Sequence, residues 1–93
     1  MSFQIYKTRI EAATGNIVAV RARAVGASDW FWVATGFVVQ MINDGVVFNT
    51  LREVSKDNWR AGARVEVYNE KFLRTYANAT EKDNLESLPS EKI

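Results

Sequence analysis

The sequence predicts a small α+β domain with a mostly antiparallel sheet of five or six strands and one short helix. Residues 64–68 alternate between polar and apolar side chains, which is typical of a half-buried strand. Apolar side chains at positions 37, 38, 41 and 42 follow the spacing of one helical face. The 93 residues include 47% apolar side chains, enough for one modest core. We therefore assign residues 1–77 to a single domain and residues 78–93 to a C-terminal tail packed on its body.

The first two strands are predicted at Phe3–Ile10 and Ile17–Ala24, joined through Thr14-Gly15-Asn16. Each strand has a set of side chains at even positions, and for these two sets to share one buried face the paired positions must sum to an even number. That sum implies a loop of odd length, with Gly15 or Asn16 in the left-handed conformation. The side chains that this register turns inward are Tyr6, Thr8, Ile10, Val18, Val20, Ala22 and Ala24. Those that it gathers on the opposite face are the cations Lys7, Arg9, Arg21 and Arg23.

The next strand is short and aromatic, at Trp30–Ala34, and the segment after it has two interpretations. A helix over residues 36–44 could be capped by Thr35 and ended by Gly45. Asp44-Gly45 between two apolar runs is also a hairpin signal, which would make the segment a strand. The apolar spacing favours the helix.

Further strands are predicted at Val46–Leu51, Arg64–Tyr68 and Phe72–Ala77, with a polar connection at Ser55–Gly62. That connection could hold one helical turn. The residues that we expect to be buried are Ile10, Val18, Val20, Ile42, Val65 and Val67. By contrast, Arg21 and Arg23 are expected to be exposed.

Composition removes several functional classes. The chain has no cysteine and no histidine, which excludes disulfides, thiolate or imidazole metal sites and the usual Ser-His or Cys-His nucleophiles. We therefore expect no enzyme, no metal and no cofactor. The net charge of +1 gives no bulk attraction to nucleic acid or membrane. The start lacks the basic and apolar regions of a secretory signal, so a cytoplasmic protein is expected.

The four cations of the first hairpin form one candidate site. Lys7, Arg9, Arg21 and Arg23 would face each other across two strands, where like charges are destabilising. An anionic partner such as a nucleic-acid backbone would relieve that repulsion. The alternative is a solvated outer face with acidic residues such as Glu11 nearby.

The tryptophans form a second candidate site, suited to a protein partner. Trp30 and Trp32 share one face if their segment is a strand, and Trp59 lies beside Arg60 in a polar segment. Tryptophan is enriched at the residues that dominate binding energy in interfaces. In a chain this short Trp30 and Trp32 could instead belong to the core.

The tail carries a third candidate feature. Leu85 and Leu88 are three residues apart, so one helical turn could press both onto the body. Asp83, next to Asn84, could cap that turn and Pro89 would stop it. We interpret these residues as a structural clasp, with a peptide-like docking element as the alternative.

The end of the chain also carries a specific pattern. Val65-Glu66-Val67-Tyr68 and Phe72-Leu73-Arg74-Thr75 are followed by Asp83-Asn84-Leu85 and Leu88-Pro89. This order resembles a widespread family of short bacterial and phage proteins known only as a domain of unknown function. Members end with a strand, a Leu/Ile-Arg-Thr and a terminal Asp-Asn-Leu-x-x-Leu-Pro.

Two earlier segments strengthen the resemblance. Ile17–Arg21 is similar to the family's early Ile-x-x-Val-Arg strand, and Thr35–Gly45 to its short helix closing in Ile-x-x-Gly. The chain departs from the pattern at Trp30-Phe31-Trp32 and after Pro89. The resemblance implies the α+β fold and the helix, and it transfers no catalytic residue because none is established.

The expected function is a small non-enzymatic protein-interaction module that associates with itself or docks on a host protein. Exposed aromatic side chains and a sheet edge would supply the surface. The alternative is a nucleic-acid-binding module that uses the basic hairpin face, with weak binding. No membrane partner is expected.

Overall fold

The computed structural model describes residues 2–75, 85 and 88–93. The described residues form one helix and seven strands, so the predicted small α+β fold is confirmed, with one strand more than the larger number expected. The elements in chain order are β1 (Ser2–Ile10), β2 (Ile17–Ala24), β3 (Phe31–Ala34), α1 (Thr35–Asn43), β4 (Val47–Ser55), β5 (Asn58–Tyr68), β6 (Phe72–Thr75) and β7 (Ser90–Lys92).

The strands lie in the order β3-β2-β1-β4-β5-β6, and β7 pairs with the far end of β1. The β1–β2, β2–β3, β4–β5 and β5–β6 pairs are antiparallel. Both pairings of β1 with β4 and β7 are parallel. Helix α1 links β3 to β4 and packs on one face of the sheet, against β2, β3, β5 and β6. The opposite face is thus left for the side chains that alternate outward.

The helix predicted over residues 36–44 is confirmed, but its start differs from expectation. Ala34 occupies the N-cap position without a side-chain hydrogen bond. The hydroxyl of Thr35 instead donates to the backbone oxygen of Ile17, at 2.9 Å, and ties the helix to β2. The end is as predicted: Gly45 has a φ of +93°, which glycine adopts without steric cost, and its N–H donates to Ile42.

The first hairpin departs from a single register. Ile5 pairs with Ala22, whereas Lys7 pairs with Arg21, so one extra residue enters β1 between them. Because of this bulge, Ile5 is buried and Tyr6 turns away from the core. The prediction that Tyr6 faces the core was wrong, whereas Thr8 is fully buried.

The polar connection predicted at Ser55–Gly62 was also wrong. β4 continues to Ser55 and β5 begins at Asn58, so only Lys56 and Asp57 form the turn. Asp57 has a φ of +59°, and its N–H donates to a carboxylate oxygen of Glu53 at 3.3 Å. This end of the hairpin is exposed on both faces, and the side-chain alternation that marks a strand is therefore missing.

The core is a single cluster between α1 and the sheet. Its buried members are Ile5, Val20, Ala22, Val38, Val39, Phe48, Val65, Leu73, Leu85 and Leu88. Of the residues expected to be buried, Val20 and Val65 are, while Ile10, Val18, Ile42 and Val67 are half-buried. The expectation that Arg21 and Arg23 are exposed was wrong, since both are half-buried.

The last described residues pack against the body. Leu85 and Leu88 are 1% and 4% exposed and belong to the core cluster. The backbone oxygen of Pro89 accepts a hydrogen bond from the N–H of Thr8 at 3.0 Å, and β7 continues beside β1. Asp83, to which capping was assigned, and Asn84, also assigned to the clasp, lie outside the described residues.

The described helix has nine residues and is too short to cross a membrane.

Candidate binding face

The outer face of the sheet begins with the cations of the first hairpin. Across β1 and β2, Lys7 is paired with Arg21 and Gln4 with Arg23. Their neighbours Ile5 and Ala22 point to the helix side, so alternation places these polar side chains on the opposite face. Strand pairing therefore gathers the cations on one face, as the sequence predicted, despite the bulge.

The adjoining strand β3 brings Trp32 onto the same face. Trp32 is the direct neighbour of Arg21 across β2 and β3. The Cζ atom of Arg9 lies 4.1 Å from the centroid of the Trp32 ring, and that of Arg21 lies 5.8 Å from it. Cations at such distances are attracted to the negative face of the ring, by about 0.5–1 kcal/mol each at exposed sites. This stacking explains why Arg21 is only half exposed.

Trp30 precedes β3 and lies against the same cluster. The Cζ atom of Arg23 is 4.5 Å from its ring centroid, and the Tyr6 ring meets Trp30 edge to face, with centroids 4.4 Å apart. Arg23 is further fixed because its Nε donates to Oε1 of Gln4 at 3.2 Å. The predicted strand at Trp30–Ala34 begins one residue later than expected, yet Trp30 and Trp32 share a face.

Trp59 completes the aromatic row from β5. Its ring centroid is 5.8 Å from that of Tyr6, at 89°, and the residue is 44% exposed. A cavity of about 470 Å³ adjoins the pair, with Leu51 and Leu88 among its lining residues. Tyr6 thus contacts both Trp30 and Trp59. The sequence did not predict this role, because no residue type in β1 indicates the bulge.

We call this surface the Trp–Arg face. Its members are Tyr6, Lys7, Arg9, Arg21, Arg23, Trp30, Trp32 and Trp59. Arg60 does not join it: this exposed residue pairs with Arg52, and alternation along β5 turns it away from Trp59. The two candidate sites of the sequence, cations and tryptophans, are therefore one surface.

One carboxylate already lies at the margin of this face. Glu91, on β7, accepts a hydrogen bond from Nε of Arg9 at 2.5 Å, and Arg9 is 30% exposed at its side chain. The same guanidinium group stacks on Trp32. A guanidinium group held over an indole ring is therefore able to bind a carboxylate from its free edge.

The acidic side chains of the described residues are scattered and do not form a cluster that could hold a metal ion. No group of three or more acidic side chains comes together among these residues. The scattered carboxylates, such as Glu66, mostly pair with cations or stand in solvent; Glu66 binds Arg74 at 2.7 Å.

A comparison with known proteins agrees with the family resemblance seen at the end of the sequence. The family model described as protein of unknown function (DUF3892) matches residues 4–89. No curated protein and no solved structure matches the chain. The match covers most of the chain, and the protein therefore belongs to the DUF3892 family.

Proposed function

We propose that this member of the DUF3892 family is a non-enzymatic protein-interaction module that docks on a host protein through the Trp–Arg face. We further propose that it works in the cytoplasm of a bacterium or of a phage-infected cell, without metal or cofactor. The observation that carries the proposal is the stacking of Arg9 and Arg21 on Trp32, and of Arg23 on Trp30.

Stacking supports binding because it orders long side chains before a partner arrives. Tryptophan, tyrosine and arginine are the residue types that dominate interface energies. Immobilising a flexible side chain on binding costs about 0.5–1.5 kcal/mol in conformational entropy. An arginine that is already held against a ring loses less of this entropy than a free one. The face thus combines suitable side chains with restricted motion.

The chemistry of the face indicates the kind of partner. Its charged members are cations, and two carboxylates lie at its edge: Glu91, bound to Arg9, and Glu53, the cross-strand neighbour of Trp59. The exposed part of Trp59 and the adjoining cavity would accept an apolar side chain. We propose a partner segment with acidic side chains flanking an aliphatic or aromatic one.

Capture from a bacterial host lysate, with and without nuclease, tests this function. We expect the wild-type chain to retain a specific protein in both conditions. A Trp30→Ala, Trp32→Ala variant should lose that protein by at least about tenfold, because it removes two anchors of the face. The control is Val54→Ala, which removes an exposed apolar side chain elsewhere. Capture that disappears with nuclease would contradict docking on a protein.

Nucleic-acid binding is the second candidate, and a specific pairing favours it. Lys7 and Arg21 are direct cross-strand partners, an arrangement that repels unless an anion lies between them. Phosphate groups would supply that anion, and the exposed ring of Trp59 could stack on a base. The net charge of +1 gives little long-range attraction, so such binding would be weak at physiological salt. The nuclease arm of the capture experiment separates the two candidates.

A further inference from the structure

The edge of the sheet at β3 adjoins a largely apolar groove on the helix-packed side, which Asp29 and Arg23 of the Trp–Arg face also line. The groove has a volume of about 590 Å³. Its aromatic and aliphatic walls are Phe3, Phe31, Val33, Phe37, Met41 and Phe48. Two of these rings are largely in water, since Phe31 is 62% and Phe37 57% exposed. Each exposed ring leaves apolar area in solvent that association would remove.

The β3 edge also lacks the usual protection of an edge strand. Among the described residues, β3 pairs only with β2, so the other side of its backbone faces outward. Its four residues, Phe31-Trp32-Val33-Ala34, include no charge and no proline. The opposite edge differs, because β6 contains Arg74, which pairs with Glu66, and follows Lys71. Charged side chains on an edge oppose pairing with another strand, and uncharged ones permit it.

We infer that β3 pairs antiparallel with β3 of a second copy of this chain, with Phe31 and Phe37 of each copy packed in the interface. A two-fold contact sets a surface against itself, so a charged edge would meet like charges. The uncharged β3 edge meets no such repulsion when it faces its own copy. A charged strand of another protein would find no opposite charge on this edge to pair with. The dimer goes beyond docking on a host protein and stands independently of it.

The size of the contact makes the two phenylalanines decisive. A stable interface buries roughly 800 Å² on each partner, more than one four-residue strand supplies. On each partner, burial of the exposed parts of Phe31 and Phe37, 62% and 57% of these residues, supplies part of the remainder. Pairing would also join the Trp–Arg faces of both copies, because Trp32 lies on the paired strand.

Sedimentation equilibrium over about 1 to 500 µM protein tests the dimer, a range that covers weak self-association. We expect the wild type to form reversible dimers. In the double variant Phe31→Glu, Phe37→Glu, the dissociation constant of the dimer should be at least tenfold larger. The single control Val54→Glu, which places one carboxylate at an exposed strand position outside β3, should behave as the wild type. A wild type that stays monomeric throughout, or phenylalanine variants that dimerise equally well, would overturn the inference.

Cross-linking checks the position of the contact without disturbing the aromatic rings. The chain has no cysteine, so a single introduced thiol reports one site. Ala34→Cys, on the β3 edge, should form covalent dimers with a short bis-maleimide reagent, and Ala13→Cys in the exposed β1–β2 loop should form far fewer. Equal yields would overturn the β3 contact. Capture of a host protein is a separate readout, so a monomer that still captures its partner refutes only the dimer.

Discussion

Replacing Leu85 and Leu88 together with alanine is expected to lower the free energy of unfolding by at least about 4 kcal/mol. Each leucine is almost fully buried in the core cluster, at 1% and 4% exposure. Truncating a buried leucine costs about 2–5 kcal/mol, because apolar contacts are lost and a cavity remains. The two sites are close in sequence and share a cluster, so the sum is not strictly additive. Urea unfolding measures the change, provided that the free energy of unfolding falls with urea concentration at the same slope in both proteins.

A matched control lies in the same tail. Ile93 is 62% exposed, so Ile93→Ala should change stability by less than about 0.5 kcal/mol. If the double leucine variant unfolded at the wild-type urea midpoint while losing its partner, the tail would be a docking element and not a clasp.

Reversing the charges of Arg21 and Arg23 to glutamate is expected to abolish capture of the host protein. The change removes two cations that stack on Trp32 and Trp30, and it places carboxylates where acidic partner groups would bind. Like charges at an interface cost several kcal/mol, which corresponds to a loss of more than about a hundredfold in affinity. Immunodetection of the captured protein measures the loss.

The control for this variant changes the net charge of the chain by the same amount. Arg60→Glu with Lys71→Glu reverses two exposed cations that lie off the Trp–Arg face. Capture should persist in that variant. Equal loss in both variants would mean that overall charge drives binding and that the face has no special role. Circular dichroism of each variant must first show an intact fold.

Local pattern predicted much of this fold and failed at identifiable points. Alternation located the first hairpin, and apolar spacing located α1, because both reflect burial of one side of an element. The bulge between Ile5 and Lys7 was missed, since an inserted residue changes register without changing composition. Tyr6 was assigned to the core for this reason.

The candidate site was predicted in parts but not as a whole. Strand alternation placed Lys7, Arg21 and Arg23 on one face, as the pairing has them. The contact of Arg9 with Trp32 spans three neighbouring strands, in the order β3-β2-β1, and local sequence does not encode that order. The capping assigned to Thr35 failed similarly, because its hydroxyl binds Ile17, a partner distant in sequence.

Indole N–H resonances offer the most direct test that the Trp–Arg face is the binding surface. The chain has three tryptophans, so each contributes one indole signal that single substitutions can assign. On titration with the captured protein, the signals of Trp30 and Trp32 should shift together with the Nε–H signals of Arg21 and Arg23. The backbone amide of Glu70, at the exposed β5–β6 turn, should stay in place. Unchanged indole signals alongside shifting β5–β6 amides would contradict the proposed surface.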